Sequence, residues 1–103
     1  MKLVVKPYKT AEFENALYSI SHNFLKAEGC LGYSVCRDSE KKNTFTVVGE
    51  WQTRQAMEKH FKTSDYEVLI GAARVLSENF EVNIAEVTKS GSLELAREQI
   101  ASQ

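Results

Sequence analysis

At 103 residues and 43% hydrophobic, the chain has the size and composition of one globular domain around a single core. A formal net charge of −1 lacks the basic face that phosphate binding requires, which argues against nucleic acid as a partner. No apolar run approaches the roughly 20 residues of a membrane span, and the stretch from Met1 to Lys6 is too short and interrupted for a signal peptide. No membrane partner and a cytoplasmic location are therefore expected.

Leu3 to Lys6 reads as a short strand stopped by Pro7. Thr10 is placed to cap a helix, and Phe13, Ala16, Leu17, Ile20, Phe24 and Ala27 recur at spacings of three and four. That stripe predicts a helix of about 18 residues, with Gly29 ending it in a left-handed conformation. His22 lies opposite the stripe and should face water. Leu31, Tyr33 and Val35 then alternate with Gly32, Ser34 and Cys36, which predicts a second strand. Asp38 to Asn43 is a polar turn, and Phe45 to Trp51, rich in β-branched and aromatic residues, completes a hairpin. Thr53 can cap a short helix running through His60 and Phe61. Ser64-Asp65-Tyr66-Glu67 spells a capping box that opens another helix, whose inward face is Tyr66, Leu69, Ala72, Ala73 and Leu76. Phe80, Val82 and Ile84 alternate with polar or small residues and predict a fourth strand. After Lys89-Ser90-Gly91, Ser92 can cap a last helix carrying Leu93, Ala96 and Ile100 on one side.

The order strand, helix, strand, strand, helix pair, strand is βαββαβ, a ferredoxin-like α+β fold with an antiparallel sheet. It divides the chain into a domain over 1–90 and a C-terminal helical tail over 91–103. Both helical layers on one face leave the other face of the sheet open. Apolar residues remain on that face (Val4 or Val5, Tyr33 or Cys36, Val47 or Val48), so a homodimer packing sheet on sheet is expected. Cys30 and Cys36 share one face of a regular strand but lie about 20 Å apart at strand rise, beyond the roughly 4.4–6.8 Å a disulfide spans. With no Cys-x-x-Cys pair and no His beside them, no metal site is expected.

Several of these residues together resemble the antibiotic biosynthesis monooxygenase (ABM) family of dimeric α/β barrels. They are Glu28-Gly29-Cys30 at the helix end, Leu31-Gly32-Tyr33-Ser34-Val35, and Asn43-x-Phe45 entering the third strand. Glu50-Trp51 ends that strand, Ala56 and His60 lie on the short helix, and Ser64 is followed by Tyr66. The resemblance spans about Lys2 to Val87. It implies oxidation of a small hydroxylated aromatic or quinol by dioxygen without metal or flavin. In the haem-degrading branch a Trp stands where this chain has His60, and the haem-ligand His stands where it has Ile70, so haem is not expected. The polyketide branch has an Asn where this chain has Val47.

On the short helix Ala56, Met57, His60 and Phe61 span about 140° of one side. His60 is therefore expected to point inward and is the candidate catalytic base. Trp51, Tyr33, Tyr66 and Phe61 are the candidate substrate-binding rings. Two bland readings stand beside these: a core His60 satisfied by one backbone or carboxylate partner, and a Trp51 that only packs. A dimeric small-molecule-binding module without turnover is the alternative function.

Overall fold

A computed structural model describes residues 1–101. The elements are β1 (Lys2–Val5), α1 (Thr10–Phe24), β2 (Cys30–Arg37), β3 (Thr44–Trp51), α2 (Arg54–Phe61), α3 (Ser64–Leu76), β4 (Ser77–Glu81) and α4 (Leu93–Ala101). The four strands form one sheet in the order β2-β3-β1-β4, antiparallel throughout. This is the ferredoxin-like α+β arrangement expected from the element order.

Pro7 cannot donate to a ladder, so β1 gives way to a 3₁₀ turn over Pro7–Lys9. Thr10 is not the cap of α1 but its first residue. Its hydroxyl donates to the Pro7 carbonyl at 3.0 Å, back into that turn, and the cap position falls to Lys9, which makes no side-chain cap bond. The helix buries Phe13, Leu17, Ser21 and Phe24, and the Ser21 hydroxyl donates to the Leu17 carbonyl. It is also shorter than expected at 15 residues. Turn bonds from Ala27 N–H to the Phe24 carbonyl and from Cys30 N–H to the Ala27 carbonyl unwind it before Gly29, which holds φ +80°. His22 is exposed, as its place on the helix requires.

Cross-strand register settles the faces. Leu3, Val5, Phe45 and Val47 are buried with Phe13, Leu17, Phe24, Leu69 and Ala73 in the core between the sheet and α1 and α3. Tyr33 and Val35 pack against them from β2. Val4, Cys36 and Val48 consequently belong to the open face. A bulge between Cys30 and Gly32 puts Cys30 opposite Trp51, while Cys36 stays opposite Thr46. The two thiols are therefore free and no longer share a face. Leu31, the extra residue, is 66% exposed rather than continuing the inward set.

Two helix starts contrast. Thr53 caps α2 as expected, its hydroxyl accepting from Ala56 N–H at 3.1 Å. The cap of α3 is Thr63, one residue earlier than the capping box suggests. Its hydroxyl accepts from Tyr66 N–H at 3.3 Å and donates to the His60 carbonyl at 2.7 Å, which leaves Ser64 as the first helical residue.

β4 departs most from expectation. It runs over Ser77–Glu81, directly out of α3, and stops before Val82 and Ile84. Its partner explains this. Glu81 is already opposite Lys2, where β1 begins, and a ladder cannot outrun the strand it pairs with. Val82, Ile84 and Val87 are 42%, 60% and 77% exposed. α4 buries none of its residues.

Candidate active site

The end of β3 and the last turn of α2 meet beneath a layer of rings. Trp51 closes β3 on the core-facing side, two residues after Gly49, and Tyr33 lies opposite Gly49 on β2. A Cβ at Gly49 would lie 2.8 Å from the Tyr33 ring and 3.2 Å from Trp51 Nε1. Only a residue without a side chain lets both rings fold over that point. A second glycine seats α2. Gly29 adopts a left-handed conformation, and a Cβ there would fall 2.6 Å from Ala56 Cβ. The Thr53 cap fixes where α2 begins, the Gly29–Ala56 contact fixes how closely it approaches, and His60 follows Ala56 by one helical turn.

His60 therefore points inward and is 4% exposed. Its imidazole stacks on Trp51 at a centroid distance of 4.5 Å and an interplanar angle of 30°. Phe24 meets it edge-on at 4.4 Å, Tyr66 at 5.1 Å and Tyr33 at 5.8 Å, and Phe61 lies tilted at 5.8 Å. All five residues singled out by sequence thus converge, with Phe24 as a further ring against the imidazole. His60 Nε2 is buried and has no hydrogen-bond partner. At that atom His60 lacks the backbone or carboxylate partner that a satisfied core histidine would have.

The electrostatics follow from burial. Desolvation lowers the His60 pKa and is its one resolved cause, so the ring is neutral at physiological pH. Tyr33 is pushed up, first by burial and then by Tyr66 and Cys30, and Tyr66 is raised by burial. Both phenols accordingly remain hydrogen-bond donors. The site offers one neutral imidazole with a free nitrogen, two phenolic donors and apolar walls. Among the described residues, no group of three or more His, Cys, Asp or Glu side chains is placed to share a metal ion. No helix among them is long and apolar enough to cross a membrane.

The antibiotic biosynthesis monooxygenase family model matches residues 1–71, which include every ring of this cage. The chain belongs to that family. No curated protein matches significantly. Among solved structures, a conserved protein from Methanosarcina mazei is 26% identical, with a TM-score of 0.72 over 77% of this chain and 78% of that one. A Deinococcus radiodurans protein provisionally named as an antibiotic biosynthesis monooxygenase is 21% identical, with a TM-score of 0.72 over 86% and 94%. A third, from Bacteroides thetaiotaomicron and provisionally given the same name, is 16% identical, with a TM-score of 0.74 over 88% of each chain.

Within this ABM chain, two contributors escape a sequence reading. Phe24 makes the shortest ring contact to His60, yet in sequence it is simply the last large residue of the α1 stripe. Gly49 is invisible without the register that sets it under Tyr33. The one available signal is its position two residues before Trp51, on the same face of the strand. Val47, where the polyketide branch carries Asn, is 2% exposed in the core. Ile70, in place of the haem-ligand His, lines an open recess of about 440 Å³ with Phe61, Lys62, Thr63, Tyr66 and Glu67.

The His60 shift has a sign in stability. The unfolded chain takes up a proton at this ring near pH 6.5, whereas the folded chain resists protonation until lower pH. The unfolded state thus binds more protons between those values, and stability should fall as pH drops below about 6.5. Urea midpoints measured from pH 7.5 to 5 check this, and His60→Phe should remove that part of the slope.

Proposed function

We propose that this chain is a cofactor-independent monooxygenase that oxidises a small hydroxylated aromatic or quinol with dioxygen. The observation carrying the proposal is the unpartnered Nε2 of His60 inside an aromatic cage. Leaving a buried polar atom without a partner costs about 1–3 kcal/mol, a cost that a ligand hydroxyl would relieve. Membership in a family named for monooxygenases supports the reaction class.

In this reading His60 Nε2 takes the proton of an aromatic hydroxyl, and the resulting anion passes one electron to dioxygen. Recombination forms a C–O bond to the ring. The imidazolium returns its proton to the peroxide, and cleavage of the O–O bond with loss of the hydrogen on the oxygenated ring carbon releases water and leaves the quinone. One oxygen atom enters the product and the other leaves as water, so the substrate itself provides the electrons. Tyr33 and Tyr66 donate to the developing oxyanion, while Trp51 and Phe61 hold the flat ring and exclude water. We also propose a homodimer through the open sheet face, where Val4, Cys36 and Val48 would otherwise stay uncovered.

Oxygen consumption by the purified protein, with a panel of naphthols and quinols and no added metal or flavin, tests the reaction. Uptake with release of a quinone is expected for at least one naphthol. A ligand that raises the melting temperature while no member of the panel consumes oxygen would establish the binding module instead.

A further inference from the structure

In this structure the nitrogen that the proposed chemistry needs cannot be reached from outside. His60 Nε2 is fully buried, and His60 does not line the open recess between α2 and α3. Two residues do both jobs. Phe61 and Tyr66 line the recess, and their rings also pack on His60. They lie 4.9 Å apart, tilted at 46°, so together they close the space between recess and imidazole.

We propose that the Phe61–Tyr66 ring pair is a gate: a planar aromatic ligand reaches His60 from the recess by pushing the two rings outward, and they then close on its outer side in the binding roles given above. The other rings are held too firmly for this part. Phe24 is 3% exposed in the core. Tyr33 and Trp51 are pressed over Gly49. Phe61 and Tyr66 are half-buried and sit at the last turn of α2 and the first turn of α3, joined by only Lys62 and Thr63. The gate also selects its ligand. Opening it removes two ring contacts from His60, and only a flat aromatic restores contacts of that kind. An aliphatic alcohol of the same volume leaves that loss uncompensated.

The proposal rests on reading His60 as the base, but its test does not require turnover. The chain has two histidines, and the exposed His22 is an internal reference. Carbethoxylation by diethyl pyrocarbonate, mapped by mass spectrometry, reads the accessibility of each. In the wild type His22 should react readily and His60 slowly. Phe61→Ala and Tyr66→Ala, with Phe61→Leu as a milder variant, should raise the His60 rate about tenfold or more by exposing a locally protected site. His22 should be unaffected, and Tyr66→Phe should retain protection. Leu17→Ala weakens the core and leaves both rings in place, so it should not expose His60. The gate is overturned if wild-type His60 reacts as fast as His22, if the ring truncations leave it protected, or if Leu17→Ala exposes it equally. Oxygen uptake that fails while this pattern holds would reject the oxidation and keep the gate.

Discussion

Replacing His60 with Phe is expected to abolish oxygen uptake and at the same time strengthen the fold. The two effects have separate causes. A positioned general base contributes about 10²–10⁴ in rate, and Phe cannot accept a proton. Stability moves the other way because Nε2 is buried without a partner. Exchanging it for an apolar ring should gain about 1 kcal/mol, while the contacts to Phe24, Trp51 and Tyr66 have an aromatic partner again. His60→Ala should also be inactive, but it should lose stability through the cavity it leaves. Oxygen electrode traces and urea unfolding of the two variants separate these effects. A His60→Phe protein that is less stable than the wild type would mean that the imidazole is a structural member of the core rather than a group kept for chemistry.

The second large effect lies away from the chemistry. Gly29→Ala should cost about 2–4 kcal/mol, combining a left-handed backbone that a side chain disfavours with a steric overlap that forces neighbours apart. The overlap is specific, since the new Cβ would sit 2.6 Å from Ala56 Cβ. Adding Ala56→Gly should therefore recover about 1–2 kcal/mol, leaving the backbone cost and a small loss of helix propensity. Oxygen uptake, if His60 is the base proposed above, should follow the same cycle, because Ala56 and His60 are one turn apart on α2 and any shift of that helix moves the imidazole. A double variant no better than Gly29→Ala would show that backbone conformation alone explains this glycine.

Much of this architecture was legible from residue patterns that report local physics. The α1 stripe, the β-branched run before Trp51, the Thr53 cap and the inward arc of α2 all appear where spacing and side-chain chemistry put them. Misreadings arose where a distant partner decides. Thr63 displaces Ser64 as the α3 cap because its hydroxyl also reaches back to the His60 carbonyl, a contact set by the angle between two helices. The bulge at Leu31 and the early end of β4 depend on what lies across the sheet. The cage was partly readable for the same reason. Trp51, His60 and Phe61 are close in sequence and Tyr33 and Tyr66 could be added through the family pattern, whereas Phe24 and Gly49 acquire their roles only through register and packing.

The early end of β4 also bears on how the chain behaves at high concentration. Past Glu81 no strand among the described residues pairs with the backbone, and Val82, Ile84 and Val87 are exposed along that stretch. Unpaired backbone beside exposed β-branched residues, continuing from an edge strand, is a template for edge-to-edge association. A net charge of −1 provides little long-range repulsion to keep copies apart. A lysine in place of Ile84 should therefore improve solubility without touching the aromatic cage.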